Sequence, residues 1–379
     1  MRIGIDYTAA ARQRAGIGRY TRELVAALLA LESPHEYRIF AAVGGLEWGA
    51  LDDLKPRPGL RLCPVPLSDD WLARLWQRLR VPVPVEWATG ALDLFYSPDF
   101  VLPPTRRRTR TLLTVHDLSF VRYPQHFVPR LVEYLNRAVP AAVARADLVL
   151  ADSQATRSDL IECFGTPESK VVVLYSGVAS RFCPEPEPGE RERLHTRYGI
   201  GERPYILSVG TLQPRKNFER LIEAWARLPP ACGGDVELVI AGQRGWLCQS
   251  ILDRAAAHAE RVRLVGFVAE EDLPALYRQA ALFAFPSYYE GFGLPVLEAL
   301  ACGVPVVCST ASSLPEVAGA AALMVTPEDT DGLGAALARG LEDSHLRQRL
   351  IQAGLAQAAR FTWEAAARRL LACFERLNA

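Results

Sequence analysis

Short apolar runs alternate with longer amphipathic segments along most of the 379-residue chain. Apolar runs bounded by glycine, proline or polar residues predict buried strands, and segments with helical spacing predict the helices between them. Because strands that alternate with helices build parallel sheets, the pattern predicts an α/β protein. We expect strands at residues 2–6, 37–43, 60–65, 93–97, 111–115, 147–151, 170–174, 205–209, 237–241, 262–264, 281–285 and 304–308. We expect helices at residues 21–31, 129–145, 153–164, 218–228, 247–259, 271–280, 295–303, 344–360 and 362–378.

One segment interrupts this alternation near the middle of the chain. Residues 181–193 read RFCPEPEPGERER, in which prolines alternate with charged residues. Such a composition is typical of a stiff, exposed connector. We therefore place a domain boundary there, with one sheet-forming half on each side.

Residues 285–309 read FPSYYEGFGLPVLEALACGVPVVCS and contain the most informative loop. A buried strand leads into a loop with Gly291 and Gly293, and Pro295 then opens a helix. The glycines let backbone amides approach a ligand, and the positive end of the helix suits a diphosphate. Glu290 and Glu298 flank the loop, and carboxylates that accept hydrogen bonds from hydroxyls suggest a sugar and a ribose. Taken singly, each glutamate is more simply a solvated charge.

Three further loops follow predicted strands. Gly16-Ile17-Gly18 precedes a helix and suggests a phosphate-binding turn, although a tight turn without a ligand is the alternative. The loop with Arg215 and Lys216 could neutralise a diphosphate, and its alternative is a solvated loop. His116 directly follows the carboxyl end of the predicted strand at 111–115, which is where ligand sites in α/β sheets lie. The alternative is a structural role, which is more frequent for a lone histidine.

The segment EGFGLPVLEALACGVPVV, residues 290–307, resembles the signature of retaining glycosyltransferases of family 4, which have the GT-B fold. The loop GTLQPRKN, residues 210–217, resembles their donor-phosphate loop. Residues 312–325 resemble a third motif of the family. The resemblance covers most of the chain, is strongest at residues 204–361 and departs at Thr211, where many members have a basic residue.

The resemblance implies a role for each matching residue. Glu290 would bind the hydroxyls of the donor sugar, and Glu298 would bind the ribose. Arg215 and Lys216 would hold the diphosphate, and His116 would contact the donor sugar. The implied catalytic residues are His116, Glu290, Arg215 and Lys216. The implied donor-binding residues are Gly16, Gly18, Gly210, Phe267, Gly291, Phe292, Gly293, Leu294 and Glu298.

The family also implies an architecture and a reaction. GT-B proteins have two Rossmann-like domains that face a cleft, with a last helix that crosses back to the first domain. We therefore expect an acceptor-side domain at residues 1–182 with a return helix at 362–379, and a nucleotide-sugar-binding domain at 190–361. The reaction would transfer a hexose with retention from a nucleotide-diphosphate sugar to an acceptor hydroxyl. The GTLQPRKN loop resembles the mannosyltransferase-like branch, so mannose from GDP-mannose is the first expectation, ahead of UDP-sugars.

Composition limits which classes of partner and which cellular compartment we expect for this protein. The chain has 43 basic and 43 acidic residues, so no global charge favours nucleic acid. Its eight scattered cysteines are typical of buried thiols in a reducing compartment, and the N-terminus has no signal-peptide pattern. We expect a cytoplasmic protein with a glycan or lipid-linked acceptor. Residues 329–331 form a D-x-D motif, but they precede a helix as a cap, so we expect no metal and no cofactor besides the nucleotide-sugar substrate.

Residues 70–80, DWLARLWQRLR, permit two interpretations. In the simpler interpretation, one helical face packs against the sheet through five apolar residues: Trp71, Leu72, Leu75, Trp76 and Leu79. The other is an interfacial helix that touches a lipid-linked acceptor at the inner face of the membrane, with Arg74, Arg78 and Arg80 toward headgroups.

Two rival functions are considered. A nicotinamide-dependent oxidoreductase is disfavoured because Thr21 replaces the third glycine of the dinucleotide fingerprint and because the second loop is cationic. A non-catalytic sugar-nucleotide-binding protein of the same fold would keep the same residues without turnover.

Overall fold

The computed structural model describes residues 1–379 except 14–15, 47–48, 80, 230–234 and 379, and it does not describe the side chains of Gln77 and Arg78. The chain forms two compact units. The first comprises Met1–Leu118, Glu133–Gly177 and Thr362–Ala379, and the second comprises Ser119–Val132 and Val178–Phe361.

The first unit contains a seven-stranded sheet in which every described strand pair is parallel. Its strands are β1 (Arg2–Asp6), β2 (Glu36–Ala42), β3 (Leu60–Val65), β4 (Leu94–Ser97), β5 (Arg110–Val115), β6 (Leu148–Ala151) and β7 (Val171–Val173), in the order β3-β2-β1-β4-β5-β6-β7. Strands β4 and β6 are buried along their whole length because helices cover both faces, and for this reason they read as uniform apolar runs. The strand order reverses between β1 and β4, as in doubly wound Rossmann-like sheets.

The second unit repeats this plan with six parallel strands. They are β8 (Tyr205–Val209), β9 (Glu237–Ala241), β10 (Val262–Gly266), β11 (Leu282–Phe285), β12 (Val306–Ser309) and β13 (Ala322–Val325), in the order β10-β9-β8-β11-β12-β13. One hydrophobic cluster lies on each face of the sheet, and the order reverses between β8 and β11. The prediction of two Rossmann-like parallel sheets is therefore confirmed.

Helices connect the strands. The α-helices of the first half are Thr8–Arg12, Ile17–Ala30, Asp69–Ala73, Glu86–Thr89, Ser119–Arg122, Pro129–Arg145 and Gln154–Phe164. Those of the second half are Glu190–Tyr198, Phe218–Ala226, Gln249–Ala256, Leu273–Arg278, Leu294–Ala301, Leu314–Ala318, Thr330–Glu342, Ser344–Ala358 and Trp363–Asn378. Short 3₁₀ turns occur at Pro124–His126, Glu168–Lys170 and Pro214–Lys216. Ser153 and Asp329 cap the helices that follow them, as predicted.

The glycine turn after β1 differs from the prediction. A short helix that was not predicted, Thr8–Arg12, follows β1, and the next helix begins at Ile17 instead of Thr21. Gly18 therefore lies in the first helical turn and not in a loop. A Cβ at Gly18 would lie 2.0 Å from the carbonyl oxygen of Gln13, so close packing of the two helices requires this glycine.

The boundary between the units also differs from the predicted one at residues 181–193. The first unit ends at Gly177, and the second begins at Val178. The proline-rich segment belongs to the second unit because Phe182 is buried there and Arg278 donates to the carbonyl oxygens of Arg181 and Cys183. A helix begins within this segment at Glu190.

Residues 119–132 also belong to the second unit, although they lie within the predicted first domain. The indole N–H of Trp246 donates to the carbonyl oxygen of His126 at 2.7 Å, and the rings of His126 and Tyr288 lie 5.0 Å apart. These long-range contacts leave no pattern in the local sequence.

Residues 70–80 form an α-helical turn, Asp69–Ala73, and a π-helical turn, Arg74–Arg78. The five apolar residues do not share one buried face. Leu72 is buried, whereas Trp71 and Leu79 are 61% and 71% exposed. The side chain of Arg78 and all of Arg80, both predicted to face headgroups, lie outside the described residues. None of the helices in the described part of the chain combines the length and apolarity needed to cross a bilayer.

Candidate functional site

The topology of the second sheet brings two predicted loops together. Strands β8 and β11 are neighbours at the point where the strand order reverses, which is where ligands bind to open α/β sheets. The loop after β8 carries Arg215 and Lys216, and the loop after β11 carries Glu290. Residues separated by 74 positions in the sequence therefore meet at one sheet edge.

Glu290 lies between the two cations. Its Oε1 accepts a hydrogen bond from Lys216 Nζ at 2.7 Å, and its Oε2 lies 3.0 Å from a guanidinium nitrogen of Arg215. All three side chains are almost fully buried. Lys216 Nζ also lies 4.9 Å from the centre of the Phe285 ring, a cation–π contact. Removal of either partner from such a buried ion pair leaves an uncompensated charge, which is strongly destabilising.

The charges of this cluster do not cancel. Burial alone would raise the pKa of Glu290, but Arg215 and Lys216 outweigh burial and lower its pKa below the usual range. The carboxyl is therefore ionised, and the cluster has two positive charges and one negative charge. This surplus of positive charge suits an anionic ligand such as a phosphate.

Hydrogen bonds that the sequence analysis missed hold the glycine loop in place. The backbone N–H of Glu290 donates to Ser312 Oγ at 2.7 Å. Ser313 Oγ donates to the carbonyl oxygens of Glu290 and Phe292, at 2.9 and 2.8 Å. Both serines follow β12, and only their place in the third family motif, residues 312–325, could have indicated a role.

Asn217 joins the two loops. Its side-chain amide donates to the carbonyl oxygens of Pro286 and Pro327, at 3.0 and 2.8 Å. Its backbone is left-handed, with φ of 60°, a conformation that asparagine tolerates better than most residues. Asn217 thereby fixes the position of the Arg215–Lys216 turn relative to the start of the β11 loop.

Two glycines lie where the chain is crowded. Gly293 has φ of 108° and precedes helix Leu294–Ala301, and a Cβ there would lie 2.7 Å from a methyl group of Leu314. A Cβ at Gly210 would lie 3.3 Å from Lys216 Cε, so this glycine makes room for the lysine stem. Gly291, Phe292 and Leu294 complete the turn into the helix.

Glu298 and Phe267 lie on two other elements of the second unit. Glu298 is buried one turn into the helix, and its Oε2 accepts a hydrogen bond from the Tyr277 hydroxyl at 2.9 Å. Tyr277 had no role in the sequence analysis. Phe267 follows Gly266 at the end of β10 and is partly exposed. The predicted contacts of Glu298 with a ribose and of Phe267 with a base stay predictions.

The remaining predicted residues, Gly16, Gly18 and His116, lie in the first unit. His116 is buried at the end of β5, and its ring lies 4.9 Å from the ring of Tyr20 in helix Ile17–Ala30. Gly16 has φ of 58°, and a Cβ there would have no atom of the described residues within 4 Å, its two chain neighbours aside. Both predicted features of the first unit therefore flank the start of the same helix.

The fold and these loops define the class of protein. The crystal structure of Anabaena Alr3699/HepE in complex with UDP and glucose superposes with a TM-score of 0.75 at 20% identity, over 99% of this chain and 100% of that chain. Two doubly wound sheets with this likeness define a GT-B fold, as predicted.

Sequence comparison identifies the family. Residues 14–182 match Glycosyltransferase Family 4, and residues 190–357 match Glycosyl transferases group 1. O-antigen chain mannosyltransferase B of Escherichia coli is 34% identical over 358 residues, covering 92% of this chain and 93% of that relative. The GDP-mannose-dependent alpha-(1-6)-phosphatidylinositol monomannoside mannosyltransferase of Mycolicibacterium smegmatis is 36% identical over 211 residues, 52% of this chain and 54% of that relative. The chain belongs to glycosyltransferase family 4 and is a glycosyltransferase.

Proposed function

We propose that the protein transfers mannose from a nucleotide-diphosphate sugar, GDP-mannose first, to a glycan or lipid-linked acceptor hydroxyl with retention of configuration. The observation that carries this proposal is the buried Glu290 between Arg215 and Lys216, beside the glycine-rich start of a helix. This arrangement offers positive charge for a diphosphate and a carboxylate for sugar hydroxyls.

The chemistry follows from these groups. The bond between the anomeric carbon and the diphosphate oxygen breaks, and negative charge develops on the departing diphosphate. Arg215 and Lys216 then exchange part of their contact with Glu290 for the phosphate oxygens, aided by the backbone N–H groups at 291–294. Preorganised stabilisation of developing charge is usually the largest catalytic contribution.

The sugar and the acceptor complete the reaction. Glu290 accepts hydrogen bonds from donor-sugar hydroxyls, Glu298 binds the ribose, and His116 contacts the donor sugar. The acceptor oxygen bonds to the anomeric carbon on the face that the diphosphate leaves, and its proton passes to a donor phosphate oxygen. An anomeric configuration in the product that is opposite to the donor's, detected by NMR, would contradict retention.

The names of two relatives support mannose as the transferred sugar, and one of them includes GDP-mannose. The nucleotide in the Anabaena structure is UDP, so UDP-sugars are the alternative. Thermal unfolding with GDP, UDP, ADP and NAD, each beside its common sugar conjugates, distinguishes these donors. A ligand at ~100 times its Kd should add about 2.7 kcal/mol to the unfolding free energy. A shift with GDP supports the proposal, whereas a shift with UDP alone contradicts GDP-mannose. Binding without turnover over a panel of saccharide acceptors would favour the non-catalytic alternative.

The exposed apolar residues of the first unit support contact with a membrane surface. Five of the eight large hydrophobic residues that are exposed in the described chain lie within residues 62–87: Leu62, Leu67, Trp71, Leu79 and Trp87. Aromatic and apolar residues of this kind insert at the headgroup boundary. We expect the protein to act at the cytoplasmic face of a membrane, with residues 70–80 in contact with it.

Vesicle flotation tests this contact. The wild type should float with vesicles of anionic phospholipid at low salt, and the Trp71→Glu, Leu79→Glu double variant should not. Leu247→Glu removes an exposed apolar residue of the second unit and should float like the wild type. A wild type that stays off the vesicles would refute the membrane contact and leave the transfer activity unaffected.

A further inference from the structure

Both ring nitrogens of His116 have acceptors. Nδ1 lies 2.7 Å from Asp152 Oδ2, and Nε2 lies 3.0 Å from the carbonyl oxygen of Pro98. These partners come from the ends of the two strands that flank β5, because Pro98 follows β4 and Asp152 follows β6. The ring is thus held from both sides by the sheet itself.

The chemistry of the acceptors determines where the protons lie. A carbonyl oxygen can only accept, so Nε2 carries a hydrogen. The contact between Nδ1 and the Asp152 carboxyl needs a second hydrogen, which lies between these two groups. Burial disfavours the charged ring, but the charge and hydrogen bond of Asp152, with the charge of Asp99, raise the pKa of His116 to about 9. With the second hydrogen on Nδ1, the ring is an imidazolium that faces the Asp152 carboxyl, and burial raises the pKa of that carboxyl although the charge of His116 opposes the shift.

The surroundings of the ring are consistent with a cation. Asp99 adds negative charge from the loop after β4, and Asp117 adds negative charge near Asp152. Tyr20 contacts the ring from helix Ile17–Ala30 through an edge-on aromatic contact. The charged groups that raise the pKa of His116 are thus the carboxylates Asp152 and Asp99.

Asp152 is itself rigidly placed. It directly follows β6, and the next residue, Ser153, caps the following helix by accepting from the N–H of Thr156 at 3.1 Å. Thr156 Oγ1 in turn donates to the carbonyl oxygen of His116 at 3.1 Å. Asp152 Oδ1 is buried and has no hydrogen-bond partner among the described residues. The other carboxylate oxygen, Oδ2, is the one that contacts His116.

We propose that Asp152 is a positioning residue that keeps His116 doubly protonated, so that His116 acts in glycosyl transfer as a hydrogen-bond donor through Nε2 and not as a base. On donor binding, Nε2–H would exchange the Pro98 carbonyl for an oxygen of the donor sugar. No covalent bond to the ring forms or breaks, and its protons stay in place. The inference rests on the proposed contact between His116 and the sugar.

The charge state can be measured without turnover. Nitrogen-15 NMR of the wild type should show two protonated ring nitrogens for His116 from pH 6 to pH 8, identified by their loss in His116→Gln. In Asp152→Asn the ring should become neutral within this range, because a neutral amide cannot hold the proton. Asp152→Glu should partly restore the doubly protonated state. A neutral His116 ring in the wild type at pH 7 would overturn the inference.

Kinetics test the consequence for catalysis. At pH 8 the kcat of Asp152→Asn should fall ~10²-fold or more, by comparison with the loss of a carboxylate that orients a catalytic histidine. The loss should shrink as the pH falls toward 6, where the ring regains its proton, whereas a merely structural defect would not depend on pH in this way. Glu168→Gln, which removes an exposed carboxylate of the same unit, should behave like the wild type.

The outcomes separate this inference from the proposed function. If Asp152→Asn keeps the pH profile of the wild type, the positioning role is wrong even though transfer proceeds. If the wild type has a doubly protonated His116 but no sugar nucleotide moves its Nε2 resonance, the donor contact is refuted. A wild type without transferase activity over the donor and acceptor panels refutes the proposed function, while the NMR titration still decides the charge state.

Discussion

Replacing Lys216 by methionine removes one charge from the cation cluster and keeps most of its packing. The methionine stem can still pass Gly210 and contact the ring of Phe285, so little cavity forms. The variant therefore isolates the ammonium group, which Lys216→Ala would not.

The structure sets the expected magnitude of this change. The ammonium is buried and poorly screened, so its loss should lower kcat by ~10²–10³-fold, or about 2.7–4 kcal/mol of transition-state stabilisation. The free energy of unfolding should change much less than the rate. Glu290 keeps its 3.0 Å contact with Arg215, and the net charge of the cluster falls from one positive charge to none. We expect the loss of one charged hydrogen bond, about 1.5–3 kcal/mol, to be partly offset by relief of repulsion between the cations.

Two assays should report the change in parallel. Release of nucleoside diphosphate in the presence of donor and acceptor measures the rate. Thermal unfolding with the nucleoside diphosphate alone measures binding of the group that carries the developed charge. If its Kd rises ~10²-fold, a concentration of ~100 times the wild-type Kd adds about 0.4 kcal/mol to the variant instead of about 2.7 kcal/mol.

A lysine outside the cluster provides the control. Lys170, in the first unit, donates to the carbonyl oxygen of Ala144, and Lys170→Met should retain wild-type rates and ligand-induced shifts. A Lys216→Met variant within a factor of two of the wild type in rate, with an unchanged diphosphate shift, would refute the reasoning about the cluster.

Two further predictions concern the stability of the fold, and a third concerns the dependence of turnover on metal. Asp272 is fully buried, and burial alone would raise its pKa, but hydrogen bonds from Tyr198, Arg197 and Arg193 lower it. The ionised Asp272 therefore stabilises the fold above the unfolded pKa of about 3.9, and this stabilisation is lost as the pH falls through the lower folded pKa. Urea unfolding at pH 7 should show that Asp272→Asn lowers the free energy of unfolding by about 3 kcal/mol. Gly18→Ala should lower the unfolding free energy by more than ~1 kcal/mol, since its Cβ would lie 2.0 Å from a carbonyl oxygen, and a wild-type midpoint in denaturant would contradict this. Turnover should survive EDTA, and a loss that manganese restores would show that the D-x-D motif was misjudged.

Much of the fold could be predicted because parallel strands covered on both faces must be apolar throughout. The predicted strands at 60–65, 205–209 and 237–241 and the helix at 129–145 match the observed bounds. The glycine loop and the two cations were also recognisable, since tight backbone turns and paired charges persist in local sequence.

The partners of the site residues could not be predicted in the same way. Asp152 lies 36 positions after His116, and Tyr277 lies 21 positions before Glu298. Ser312, Ser313 and Asn217 hold loops through backbone groups, which every residue has. Nothing in local spacing distinguishes such contacts from those of a solvated polar residue.

The strands, the helices and the loops that could approach a phosphate can be recognised in the amino-acid sequence, because they depend on periodicity and on residues with special backbone freedom. The contacts of Glu290 with Arg215 and Lys216, and those of His116 with Asp152 and Pro98, arise only in the folded protein. Strand order determines these neighbours, and strand order arises from long-range packing that no short segment encodes.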